Sequence, residues 1–154
     1  MNLFMQEAID EASQGVKAGD GGPFGAVIVH EGRIVGRGHN QVVSTNDPTA
    51  HAEIVAIRRA SAALGRFDLS GAELYTTCEP CPMCLAAAFW ARISVLYFGC
   101  DRHDAAAVGF DDAALYRFME NAAHRTAIQM RSIDRASCLT AFHLWKDKPD
   151  KVPY

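Results

Sequence analysis

Apolar residues recur at Leu3, Phe4, Ala8, Ile9, Ala12 and Val16, with Glu7, Asp10 and Glu11 between them. This is the spacing of an amphipathic helix, and it ends near Gly19. Gly19-Asp20-Gly21-Gly22-Pro23 reads as a tight turn. It has the glycines of a phosphate loop, but no Gly-Lys-Ser/Thr follows and a strand comes next. Phe24 to His30 is nearly all apolar, as in a strand covered on both faces. Glu31-Gly32 is a hairpin turn, and Arg33 to His39 returns as the partner strand. After the polar stretch Asn40 to Asn46, Asp47-Pro48 predicts a helix start. That helix runs to Leu64 and Gly65 and is expected to bury Ile54, Ile57, Ser61 and Leu64. Glu73 to Cys78 reads as a strand. Cys81 to Ala91, apolar all round, reads as a deeply buried helix, and Val95 to Cys100 as a central strand. A helix from Asp112 to Asn121, a weaker strand near Ile128 to Ile133, a helix from Ser137 to Lys146 and a polar tail ending at Tyr154 complete the chain. Strands alternating with helices predict an α/β fold: a three-layer α/β/α sandwich with a mixed, mostly parallel five-stranded sheet. The early hairpin makes one edge antiparallel. No repeat or linker interrupts the pattern, so residues 1–154 read as one domain.

Composition narrows the function classes. With 154 residues, 49% hydrophobic and 21% charged, the chain can bury a core of its own. The net charge of −3 gives no basic field. Arg58, Arg59, Arg66, Arg131 and Arg135 are scattered among acids, which argues against a nucleic-acid partner. No apolar run approaches the roughly 18 residues needed to span a bilayer, and the acidic start has no secretory character. Five cysteines, an odd number, suggest no disulfide framework. The expected location is the cytoplasm.

The chemistry concentrates in His51-Ala52-Glu53 and Pro80-Cys81-Pro82-Met83-Cys84. Cys-x-x-Cys opening a helix puts two sulfurs on one face, at a terminus that favours thiolate. With His51 they make three zinc ligands and leave a fourth position for water, as in catalytic zinc sites. Glu53 is then the proton carrier. Mid-helix, His51 and Glu53 would diverge by roughly 200°, so they serve one site only if it lies over the helix end. This His-x-Glu … Pro-Cys-x-x-Cys pattern is the established signature of zinc-dependent nucleobase deaminases. Two alternatives compete with it. Cys78-x-x-Cys81-x-x-Cys84 could close a Cys₃His structural site, and Cys81 with Cys84 could be a redox dithiol. Cys100 and Cys138 read as buried small hydrophobes. His30, His39, His103, His124 and His143 read as surface or packing residues, with His143 on an apolar face beside Phe142 and Trp145. Glu79 is either a cap of the helix that follows it or a second proton carrier.

The chain resembles the cytidine deaminase superfamily, and within it the bacterial guanine deaminase branch. The resemblance rests on Gly21-Gly22-Pro23-Phe24-Gly25-Ala26, Asn46 to Glu53, Thr77 to Cys84, Gly109-Phe110-Asp111-Asp112 and the terminal Tyr154. It implies one Zn²⁺ per subunit on His51, Cys81 and Cys84, with Glu53 as catalytic proton shuttle. It also implies a small-molecule purine substrate: Asn40 hydrogen-bonds the ring, Phe24 lines or stacks on it, and Asp112 accepts from its N–H groups. The implied reaction is hydrolysis of guanine to xanthine and ammonia at C2. The branch further implies a homodimer that exchanges C-terminal segments, so that Tyr154 acts in the neighbouring subunit's site. Rival expectations are a deaminase for cytosine, guanosine or transfer-RNA adenosine, side activity on aminated triazines, and a non-catalytic zinc-stabilised binding module.

Overall fold

The structure, a computed structural model, describes residues 2–120, 128 and 130–153. Tyr154 and His124 lie outside the described residues. The chain forms two compact units, residues 1–116 and 117–154.

In the first unit, α1 (Leu3–Ala18) is capped at its start by the Asn2 side chain and stopped by left-handed Gly19. β1 (Gly25–His30) turns through Glu31 and Gly32, both at positive φ, into β2 (Arg33–His39). A single helical turn, α2 (Val42–Thr45), leads to α3 (Ala52–Leu64). β3 (Ala72–Cys78), α4 (Pro82–Trp90), β4 (Val95–Cys100), α5 (Arg102–Ala107) and α6 (Ala113–Glu120) follow, and α6 runs past the boundary into the second unit. That unit otherwise carries α7 (Arg135–Asp147).

The described strands form one sheet in the order β2-β1-β3-β4. Helices cover both faces, as the three-layer expectation requires. Ala8 of α1, with Phe4 and Met5 beside it, packs on Val27, Val29 and Tyr75. Ala52, Ala56 and Ala60 of α3 and Ala88 of α4 pack on Ala26, Ile28 and Leu74 from the other side.

Several expectations are corrected. The sheet is mixed, but β1 pairs antiparallel with both β2 and β3, and only β3 with β4 is parallel. The crossover through α3 does return the chain in the direction of β2. Yet β1 lies between those two like-directed strands, so each neighbouring pair is antiparallel. Four strands, not five, occur among the described residues. The described part of 128–133 is irregular and its Ile128, Met130 and Ile133 are exposed; β propensity makes no strand without a partner edge. β4 is an edge strand in this sheet rather than a central one, with Val95, Tyr97 and Phe98 exposed.

α3 begins at Ala52 rather than at Asp47-Pro48. The Asp47 carboxylate accepts from the Thr49 backbone N–H at 2.8 Å and from its hydroxyl at 2.7 Å, closing a local turn in place of a helix cap. The buried stripe of α3 is Ala52, Ala56 and Ala60; Ile57 and Leu64 pack at its margins. The cause lies in β2. A Cβ on Gly36 would stand 2.3 Å from the Ala56 carbonyl oxygen, and one on Gly38 2.4 Å from that of Ala52. Backbone meets backbone there, and only small residues fit between. α4 is not deeply buried: Cys84 and Ala88 are, while Phe89 is 69% and Trp90 60% exposed. Cys100 and Cys138 are exposed rather than buried, and α7 leaves Phe142, Leu144 and Trp145 exposed around His143.

Candidate active site

Two helix starts build the site. His51 is the extended N-cap residue of α3, and Glu53 lies in its first turn. Cys81 is the N-cap residue of α4, with Pro82 in the first turn and Cys84 just inside. Neither cap residue makes a side-chain cap bond, so both side chains point off the helix ends. The two residues on α3 thus converge over a helix end, the only geometry that lets His-x-Glu serve one site.

His51 Nδ1 is 3.7 Å from Cys81 Sγ and 3.5 Å from Cys84 Sγ, and all three ligand atoms lie within 4.8 Å of one another. Metal–sulfur and metal–nitrogen bonds of about 2.3 and 2.0 Å at tetrahedral angles place S and N about 3.5 Å apart. The donors therefore fit zinc without rearrangement, and theirs is the one such cluster among the described residues. The Cys81 thiol is pulled down to about 4, first by the hydrogen bond from Cys84 and then, against burial, by His51. The same bond and burial push Cys84 up. A cation held by both sulfurs would displace the proton from Cys84 as well.

Cys78 stays outside the cluster. It is buried, its Sγ donates to the Asp101 carbonyl at 3.6 Å, and burial pushes the thiol up to about 11. A closed Cys₃His site is not formed. Glu53 is 5% exposed. Its Oε2 faces Cys84 Sγ at 3.4 Å, and its Oε1 accepts from the Thr76 hydroxyl at 3.3 Å. Burial raises its pKa.

Beside the metal donors lies a cavity of about 620 Å³, within the usual range for small-molecule sites. Phe24, Asn40 and Asp112 all line it, together with His51, Glu53 and Cys81. Asn40 is buried and its Oδ1 accepts from the Val42 N–H at 3.2 Å. Burial raises the pKa of Asp112. Of the residues expected at the site, only Tyr154 lies outside the described chain.

Sequence reasoning missed other members. Phe110 meets Phe24 edge to face, with centroids 4.9 Å apart, and forms an aromatic wall. It belongs to Gly109-Phe110-Asp111-Asp112, where an aromatic in a polar loop was the available signal. Glu79 makes its hydrogen bonds to Arg102 rather than to the start of α4. Arg102 grips it with Nη2 at 2.5 Å, Nε at 3.2 Å and the backbone N–H at 3.2 Å, so it secures the start of α5 and stays below the usual carboxylate range. Arg102 also lies 3.9 Å from the centroid of the Tyr116 ring, whose hydroxyl donates to the Pro80 carbonyl at 3.2 Å. This lattice ties α5 and α6 to the metal-ligand loop. No short sequence spacing could have revealed it.

Residues 1–100 match the cytidine and deoxycytidylate deaminase zinc-binding region. The chain belongs to this deaminase family. It is 44% identical to a guanine deaminase of Bacillus subtilis over 98% of this chain and 97% of that protein. The crystal structure of a guanine deaminase from Bacillus subtilis superposes with a TM-score of 0.94, at 44% identity, covering 100% of this chain and 99% of that one. A transfer-RNA-specific adenosine deaminase of Agrobacterium fabrum is 50% identical over 62% of this chain and 62% of its own length. The deaminase is thus a hydrolytic enzyme with a zinc-binding His-Cys-Cys set. No helix among its described residues is long and apolar enough to cross a membrane.

Proposed function

We propose that this deaminase hydrolyses guanine to xanthine and ammonia in the cytoplasm, as one catalytic domain per chain. The observation that carries the substrate is the reach of the similarity beyond residue 100. Phe110 and Asp112, which line the cavity, fall in a stretch shared with the guanine deaminases along nearly the whole chain. The transfer-RNA relative matches only 96 residues.

Bound zinc supplies Lewis-acid activation of a water. The chain's residues do the rest. Glu53 Oε2, on the side of the metal donors, would carry the two protons of that water in turn, the first to ring N3 and the second, from the new C2 hydroxyl, to the departing amine. The C2–N bond breaks, a C2–O bond forms and ammonia leaves. Phe24 and Phe110, in contact with each other, offer one aromatic wall to the ring's apolar area. Asn40 both donates and accepts, matching a purine edge that carries both kinds of group. Asp112 accepts from N–H donors. The binding-module reading leaves the buried carboxylate with no task. The test is ammonia release from a panel of guanine, guanosine, cytosine and aminated triazines; zinc-loaded protein that ignores guanine overturns the substrate.

The same reading makes the protein a homodimer with exchanged C-terminal segments and Tyr154 serving the other subunit's site. Its support is apolar surface on β4 and α4, including Tyr97, Phe98, Leu85, Phe89 and Trp90, all exposed. Mixing inactive Glu53→Gln with Tyr154→Ala should restore activity through heterodimers. Absence of any recovery, with mixed dimers present, counts against a tail acting in trans.

A further inference from the structure

We propose that His39 and Asp20 are positioning residues for the purine pocket: their hydrogen bond clamps the 19–23 loop and the α2 turn around Asn40, and so sets the affinity for the ring rather than the rate of its deamination. The inference rests on the reading of Asn40 as the residue that holds the ring.

His39 ends β2, immediately before Asn40, and is only 9% exposed. Its Nε2 is 2.8 Å from Asp20 Oδ2 and its Nδ1 is 3.2 Å from Glu11 Oε2. Both ring nitrogens are thus engaged by carboxylates, and the imidazole bridges α1 to the loop. The ring lies where a side chain of α1 would otherwise be: a Cβ on Gly15 would stand 2.6 Å from His39 Cδ2. The other charged groups near this bridge are Glu7 on α1 and Arg37 on β2, which pair with each other at 2.5 Å; Arg37 also approaches Glu11 at 4.0 Å.

Asp20 is a hub for two walls of the cavity. Its N–H donates to the Gly15 carbonyl at 3.0 Å, anchoring the loop to the end of α1. Its carbonyl accepts from the Val43 and Ser44 N–H groups at 3.0 and 3.1 Å, anchoring α2. Hydrogen bonds from His39 and Ser44 hold its carboxyl below the usual range. Gly19, Gly21 and Gly22 from the loop, and Val42 and Val43 from α2, all line the cavity. The Asn40 amide sits between the walls. Its Oδ1 accepts from Val42, and a Cβ on Gly21 would come within 2.1 Å of that oxygen. The carboxamide is therefore held by contacts that depend on where Asp20 puts the two segments. None of these groups reaches Glu53 or the metal donors, so their loss falls on binding.

The test compares His39→Gln and Asp20→Asn with Glu11→Gln, which removes the opposite contact of the same imidazole but touches no cavity wall. KM for guanine should rise about tenfold in the first two, the effect of weakening one charge-assisted hydrogen bond, with kcat within twofold and zinc content unchanged. The double variant His39→Gln/Asp20→Asn should be no worse than either single one, and Glu11→Gln should leave KM nearly unchanged. Calorimetric binding of guanine to a Glu53→Gln background should show the same affinity loss without turnover. Amide exchange should quicken in 19–22 and 42–45 but not in α3, a readout that needs no substrate. Unchanged exchange in those segments, equal KM in all variants, or a KM rise in Glu11→Gln as large as in Asp20→Asn overturns the proposal. Unmodified protein that neither binds nor deaminates guanine overturns the substrate reading instead, and the exchange experiment still decides the clamp.

Discussion

The hairpin side of the sheet and its β4 edge are built to opposite standards. Around β1, β2 and α3 the core is closed by small residues at backbone contact, with Ala26, Ile28, Ala52, Ala56 and Ala60 fully buried. Around β4 and α4 comparable apolar material lies in the open, with Phe89 and Trp90 more than half exposed. The metal donors and Glu53 sit where the two meet: His51 and Glu53 come from the closed side, Cys81 and Cys84 from the open one. One half of the chemistry is thus held by intrachain packing, and the other is carried by a helix whose outer face still has a surface to bury.

That contrast can be broken most severely at Glu53. Glu53→Gln should keep the volume and the zinc but remove the proposed proton carrier, and turnover should fall by about 10²-fold or more, read by ammonia release with zinc measured in parallel. Retained turnover would end the enzymatic role of the closed side.

Packing comes next. Gly38→Val forces a side chain into the Ala52 carbonyl and should cost about 3 kcal/mol, at the upper end for overpacking, measured by denaturant unfolding. Phe89→Ser on the open side should shift monomer stability by no more than about 0.5 kcal/mol while weakening the proposed homodimer in sedimentation. Similar stability losses for both would erase the distinction.

A smaller effect follows from the raised Glu53 carboxyl. Below the ordinary carboxyl pKa both the folded and unfolded states hold this proton. Between that value and the raised folded one, only the folded state does. The metal-free protein should therefore lose stability as pH rises through this window, and Glu53→Gln should remove that part of the slope. Thermal melts of the two metal-free proteins across pH 4 to 8 would reveal it; parallel curves would not fit a buried carboxyl. Smallest of all, Cys78→Ser should leave zinc stoichiometry unchanged, since that thiol faces Asp101 rather than the metal donors. Loss of one zinc per chain would return Cys78 to the ligand set.

Local signals in the sequence carried far on the closed side. Gly19 stopped a helix, Glu31-Gly32 turned a hairpin, and two short motifs named the His-Cys-Cys set and the carboxylate that meet in one place. Each depends on a few neighbouring residues. The failures share a physical cause, because burial belongs to a surface and not to a segment. α4 is apolar all round and so reads as interior, yet whether Leu85 and Phe89 are covered depends on what packs against them. Asp47-Pro48 satisfied the rules for a helix start, but Thr49 captured the carboxylate first. Phe110 and the Glu79–Arg102–Tyr116 lattice depend on residues 14 to 86 positions apart meeting in space, which periodicity does not encode.

The bare backbone of Gly36 and Gly38 has a consequence for how this enzyme can change over time. α3 rests directly on β2 there, so the depth at which the end bearing His51 and Glu53 sits is set by a missing pair of methyl groups on the neighbouring strand. Substrate preference can drift through the loops and the far rim while that seat stays constant. A laboratory search for new specificities should leave those two positions untouched and spend its diversity elsewhere.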